Sequence, residues 1–233
     1  MSKPHLFLLH SALSSSSAFD NLLPLLQGHF QLHLFNFQGH GGSPIPAEGI
    51  TIDLLVDQLE QEIAMRANDG LPIYALGHSL GGYVALCLAL KPEQPLAGII
   101  TFGTKFGWNP ESAKQEVVQL QPEILLEKAP AFAEDLQQRH APTPWQALIK
   151  AIGNLMLNLG SHPPLNENTL ADTRIPCLII RGEKDRIAGA EETAQATGWI
   201  PGAQSITLPE TPHQLERLNP ELLANAILTW KKF

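Results

Sequence analysis

Six short apolar runs bounded by turn residues punctuate the chain, at 5–9, 31–37, 72–76, 96–102, 177–181 and 205–208. Most of them are nearly continuous rather than alternating. A strand that is apolar at successive positions has both faces covered, so the pattern predicts a mostly parallel central sheet of about six strands with helices on both faces. Helical periods fill the gaps. Residues 52–65 place Leu55, Leu59 and Ile63 on one stripe, and 83–90 form a compact apolar helix that stops at Pro92. Residues 220–230 open with Pro220 and bury Leu222, Leu223, Ala226, Ile227 and Trp230. Strand and helix alternate, which is the doubly wound α/β pattern.

Residues 105–172 interrupt that alternation with helical patterns and no convincing strand, which predicts a helical cap inserted into a core made of 1–104 and 173–233. Leu125, Ala129, Phe132 and Leu136 follow one stripe, and Trp145, Leu148, Ile149, Ile152, Met156 and Leu159 another. Such stripes need an apolar surface to cover. The expected surface is the mouth of the core, with Phe106, Trp108 and Met156 as candidate substrate-binding wall residues.

Composition narrows the function classes. At 233 residues, 44% hydrophobic and 16% charged, the chain is long enough for one substantial core and too apolar for disorder. A formal net charge of -8 without a Lys or Arg run excludes a phosphate-binding footprint, so no nucleic-acid partner is expected. Cys87 and Cys177 each sit in an apolar stretch and read as core residues. The apolar run at 5–9 is too short for a membrane span and lacks signal-peptide organisation, so a cytoplasmic protein without a membrane partner is expected. Metal-ligand and phosphate-loop patterns are absent, and no cofactor or metal is expected. Oligomeric state leaves no mark in the sequence.

The strongest chemical signal is Gly77-His78-Ser79-Leu80-Gly81-Gly82, a G-x-S-x-G motif between the 72–76 strand and the following helix. A serine on such a turn has a strained backbone and an exposed hydroxyl, and the glycines let strand and helix approach. The helix N-terminus presents free N–H groups to developing negative charge, with Leu80 N–H as an oxyanion donor. Chance occurrence of the motif is plausible only without that strand-to-helix setting. A serine hydroxyl needs a base, and His213 follows the 205–208 strand on a loop. The base needs an orienting carboxylate, for which Asp185 in the loop after the 177–181 strand is preferred and Glu183 is the alternative. The order Ser, Asp, His supports the set.

Together with these residues, Leu9-His10-Ser11-Ala12 and Gln38-Gly39-His40-Gly41-Gly42-Ser43 give the chain its resemblance to the α/β-hydrolase superfamily. The first stretch is similar to the family's His-Gly-x loop, with Ser11 at the usual glycine. The second is similar to its G-x-G-x-S turn, with Asn36 where the preceding strand usually ends in aspartate. The resemblance implies an α/β-hydrolase fold, a second oxyanion donor at Ala12 N–H, and structural roles for His10 and His40, while His78 reads as packing or loop support. It also implies a serine hydrolase that cleaves a small or medium carboxylic ester, its partner being a small-molecule ester or acyl substrate. A lyase or C–C hydrolase with the same triad, and a small-molecule sensor, are the competing readings.

Overall fold

The computed structural model describes residues 2–230. Its six strands are β1 (His5–Leu9), β2 (Gln31–Leu34), β3 (Ile73–His78), β4 (Gly98–Phe102), β5 (Cys177–Gly182) and β6 (Gln204–Leu208). They form one parallel sheet in the order β2-β1-β3-β4-β5-β6. The chain steps outward from β1 to β2 and then returns to build β3 on the other side of β1. A crevice therefore opens at the carboxyl ends of β1 and β3, paired in register from His5 with Ile73 to Leu9 with Gly77.

The helices are α1 (Leu23–Leu26), α2 (Ile52–Arg66), α3 (Leu80–Ala89), α4 (Pro110–Gln119), α5 (Pro122–Lys128), α6 (Pro130–His140), α7 (Trp145–Ser161), α8 (Glu167–Leu170), α9 (Ala190–Trp199) and α10 (Pro220–Leu228). Successive strand residues point to opposite faces, and the core divides accordingly. Phe7, Leu9, Ala75, Ile99, Cys177 and Ile179 pack with α2, α3 and the helices between β4 and β5. Leu6, Leu8, Leu76, Ile100, Phe102, Leu178 and Ile180 pack with α10 and the segment around α1. Coverage of both faces explains why the central strands are apolar at nearly every position. At the edge, β6 is largely exposed and keeps polar Gln204, Ser205 and Thr207. No helix among the described residues is long and apolar enough to cross a membrane.

Boundaries differ from the sequence reading where tertiary context intervenes. β2 ends at Leu34 rather than at 37, and Phe35 and Phe37 instead enter the core from the following loop. The stripe from Leu125 to Leu136 is two helices, because Pro130 lacks the N–H needed to continue α5 and opens α6. Leu125 and Leu136 are buried while Phe132 is exposed. α4 and α9 carry few large apolar side chains and leave little mark in the sequence pattern. Each buries one alanine, Ala113 and Ala196, with Thr193 beside the latter.

Candidate active site

β3 ends at His78, and Ser79 turns the chain sharply into α3. Ser79 has φ 51 and ψ -111, a left-handed-side conformation that a side-chain-bearing residue adopts at a cost of roughly 1–3 kcal/mol. Backbone bonds hold it there: Ser79 N–H donates to Phe102 O at 2.8 Å, and Thr104 Oγ1 donates to Ser79 O at 3.1 Å. The flanking glycines are sterically required. A Cβ on Gly77 would lie 2.2 Å from Gly82 N, and one on Gly81 would lie 2.2 Å from Leu9 O.

His213 and Asp185 meet across the ends of β5 and β6. Asp185 Oδ2 lies 2.8 Å from His213 Nδ1, and Oδ1 accepts from Ile187 N–H at 2.8 Å and Ala188 N–H at 2.9 Å. Burial disfavours charge on Asp185, whose side chain is fully buried. The hydrogen bond and charge of His213 and the two amides outweigh this and hold its carboxyl below the ordinary value. An ionised carboxylate only accepts, so the proton sits on His213 Nδ1, and the neutral ring is left with Nε2 as a base. Glu183 lies apart from the pair, its Oε2 accepting from Glu210 N–H at 2.9 Å.

One supporting residue, Gly103, went unseen in the sequence, and another, His78, reads there as packing or loop support. Gly103 (φ 63) follows β4 directly under the pair, where a Cβ would come within 3.0 Å of Asp185 Oδ2 and 3.1 Å of His213 Nδ1. A glycine immediately after a strand that precedes a long insertion is the only signal it carried. His78 Nε2 lies 2.8 Å from His213 O, which fixes the proton on Nε2 and anchors the His213 backbone beside the elbow. Its ring is buried and stacks on Phe102, and burial first, then the neighbouring His213, lower its pKa to about 3.

The loop after β1 carries Ala12 and then Leu13 at φ 58. Three histidines brace it. His10 Nδ1 donates to Ser11 O at 2.8 Å and its Nε2 accepts from Phe37 N–H at 3.0 Å. His40 Nδ1 donates to Gln38 O at 3.1 Å while its Nε2 accepts from Leu13 N–H at 3.3 Å. His140, at the end of α6, donates through Nε2 to Leu13 O at 3.1 Å and accepts from Gly41 N–H at 3.0 Å. Arg139 adds a bond to Leu13 O at 3.3 Å. Asn36, at the position of the expected aspartate, accepts from Ser16 N–H at 2.7 Å and so ties down the same segment.

Ser79, Leu80 and Ala12 open onto one narrow cavity of about 40 Å³. Trp108 and Met156 line it, together with Tyr83, Lys105 and Leu155. Phe106, taken from the sequence as a third wall residue, does not line it. Its side chain is buried in the core on the α2 and α3 face. A larger groove of about 310 Å³ between α4, α5 and α7 is lined by Leu120, Ile149 and Leu157 and contains none of these groups. Among the described residues no cluster of three or more His, Cys, Asp or Glu side chains could hold a metal ion. Both cysteines are free, and burial raises both thiols, that of Cys177 to about 12.

A family model described as the alpha/beta hydrolase family matches residues 6–226. The chain belongs to the alpha/beta hydrolase family. It is similar to a pimeloyl-acyl-carrier-protein methyl ester esterase of Aeromonas salmonicida, 31% identical over 90% of this chain and 88% of that one. Another relative is a 2-(acetamidomethylene)succinate hydrolase of Mesorhizobium japonicum, 23% identical over 97% of this chain and 87% of that one. The match to the esterases of Sodalis glossinidius and Aeromonas hydrophila spans only about half of their length, 46% and 50%. Among solved structures, MenH of S. aureus superposes with a TM-score of 0.79 at 19% identity, covering 98% of this chain and 93% of that one. This last likeness concerns the fold alone. Within an α/β-hydrolase core, the Ser79 elbow and the Asp185–His213 pair occupy the carboxyl edge of the sheet, where loops can vary without disturbing the strands.

Proposed function

We propose that this hydrolase cleaves a small or medium carboxylic ester through an acyl-enzyme on Ser79. The observation that carries the reading is the strained Ser79 at the N-terminus of α3, facing a cavity, with the 2.8 Å His213–Asp185 pair held beside the elbow by His78. In this reading Ser79 Oγ attacks the acyl carbon as His213 Nε2 takes its proton. The oxyanion accepts hydrogen bonds from Leu80 and Ala12 N–H, whose residues share the cavity with Ser79. Collapse expels the alcohol, protonated by His213, and water activated by the same ring releases the acid. Asp185 keeps the ring in the Nδ1–H tautomer and stabilises the imidazolium. The helices of 105–172 act as a cap, with Trp108 and Met156 as walls of the acyl pocket. An ester is favoured over other acyl bonds because several relatives carry esterase names.

The test is labelling with a fluorophosphonate, which reacts only where an activated serine and an oxyanion hole coexist. Wild-type protein is expected to label at Ser79, located by peptide mapping. Ser79→Ala is expected to stay folded, fail to label and lose turnover by roughly three orders of magnitude or more. Labelling at another serine, or unchanged ester turnover in folded Ser79→Ala, overturns the assignment.

A further inference from the structure

We propose that Lys105 makes the Ser79 cavity selective for an acyl group bearing its own carboxylate, so that the preferred substrates are half-esters of short dicarboxylic acids. This deepens the ester-hydrolase reading and rests on it.

Lys105 is the only charged residue among the described residues that line the cavity holding Ser79. Ile152, Leu155, Leu159 and Trp108 line the same cavity, and the Trp108 ring centroid lies 5.6 Å from Lys105 Nζ. An ammonium among apolar walls loses hydration and needs an anion to compensate. The structure supplies one partner, Glu116 Oε1 on α4, at 3.4 Å. That contact is long for an ammonium–carboxylate bond, and Glu116 is the more solvent-exposed of the two, 29% against 15%. Lysine has three N–H donors, and a single carboxylate at this distance leaves donors for a second acceptor. Apolar walls strengthen the attraction to an incoming carboxylate relative to water. A neutral acyl chain of equal length gains nothing from the charge.

The position of the residue determines what the charge reads. Lys105 follows β4 just past Thr104, whose Oγ1 donates to Ser79 O, so the Lys105 backbone is anchored beside the elbow. A cavity of about 40 Å³ leaves space for only a few carbons between the ester carbonyl and the anion. The compact lysine head group recognises charge rather than bidentate geometry, so chain length rather than carboxylate orientation is the selected property.

A purely structural Lys105–Glu116 tie between the β4 loop and α4 makes the opposite prediction for the two partners, since removing either would be harmful. If Glu116 competes with the substrate carboxylate, its neutralisation strengthens anion binding.

Calorimetric titration of glutarate, with glutaramide as the uncharged control, separates these cases without any turnover. Wild-type protein is expected to bind glutarate more tightly than glutaramide. Lys105→Met is expected to weaken glutarate by about tenfold or more, and Glu116→Gln to tighten it. Lys105→Gln serves where Lys105→Met does not fold. In turnover, the ratio of kcat/KM for monomethyl glutarate over methyl pentanoate is expected to fall in the Lys105 variants and rise in Glu116→Gln. Glutarate binding no tighter than glutaramide binding, or unaffected by both Lys105 substitutions, overturns the proposal. Parallel weakening by Glu116→Gln overturns it in favour of the structural tie. Failure of Ser79 to label with a fluorophosphonate while these binding differences persist would instead count against the esterase reading.

Discussion

Two carboxylates follow β5 within three positions of each other, yet their surroundings give them different chemistry. Asp185 has one oxygen on His213 and the other on two amides, whereas Glu183 is engaged by Glu210 N–H in the neighbouring turn. Asp185→Asn replaces an oxygen acceptor with an amide that can donate to Nδ1 and favour the wrong ring tautomer. Turnover is therefore expected to fall by about four orders of magnitude, the scale known for this substitution in a Ser-His-Asp site. Glu183→Gln keeps the acceptor that Glu210 uses and is expected to change kcat by no more than about threefold, well inside the factor of ten that 1.4 kcal/mol represents. Ester kinetics on both folded variants decide the matter; equal, small losses would remove Asp185 from the site.

At the level of elements, α6 reaches across the chain to the loop after β1. Leu13 stands in the left-handed region, and its N–H and carbonyl are taken by His40, His140 and Arg139. A non-glycine residue in that region is disfavoured by roughly 1–2 kcal/mol, so these bonds hold Leu13, and Ala12 beside it, in place. Under the proposed mechanism, His140 is therefore expected to act as a positioning residue. His140→Ala would leave Leu13 O and Gly41 N–H without their ring partner, at about 1–3 kcal/mol of stability for a buried group left unmade. If Ala12 N–H is the proposed oxyanion donor, its misplacement is expected to lower kcat by about tenfold or more with KM nearly unchanged, because such a donor acts in the transition state. The rate of fluorophosphonate labelling should fall with it. Partial recovery in His140→Gln, which keeps one donor and one acceptor, supports positioning; wild-type labelling rates in His140→Ala rule it out.

Across the whole molecule, the buried histidines predict how stability depends on pH. His10, His40 and His78 are each buried, and that burial, with lesser effects from neighbouring rings, holds them below their ordinary value, His40 to about 4 and His78 to about 3. The hydrogen bonds agree with neutrality, since His10 and His40 each use one nitrogen as an acceptor that protonation would remove. In the unfolded chain these rings titrate near 6.5. Between about 6.5 and the folded values the unfolded state binds protons that the native state refuses, so stability is fully present above that window and declines as pH falls through it. Asp185 has the same sign at lower pH, with its contribution lost as pH falls below the ordinary carboxylate range through its depressed folded value. Urea unfolding from pH 8 to 4 should show a loss that begins near pH 6.5 and reaches on the order of a few kcal/mol for each of His40 and His78 at the acid end, with His10 adding in the same direction. A flat profile down to pH 4 would mean that these rings protonate freely in the native state.

The sequence by itself determined what depends on neighbours along the chain. The central strands appeared because near-continuous apolarity marks a strand covered on both faces, and the Ser79 elbow appeared because its strain demands glycines at fixed offsets. The order of Ser79, Asp185 and His213 followed from the loops that end three of those strands. What the sequence left open, or passed over, depends on contacts between distant segments. The choice between Asp185 and Glu183 rests on which carboxylate reaches His213, 28 positions from Asp185. His140 meets Leu13 across 127 positions, and His78 meets the His213 carbonyl across 135. The separation of Lys105 at the cavity from Phe106 in the core lies between adjacent residues, where composition and periodicity carry no information about direction. α4 is capped by Asn109 and packs on α7, and α9 buries Thr193 and Ala196, placements that few large apolar residues announce in the sequence. Local pattern fixes elements because backbone sterics and hydrophobic burial act over a few residues, whereas a site is assembled from loops whose mutual placement only the packed sheet and helices decide.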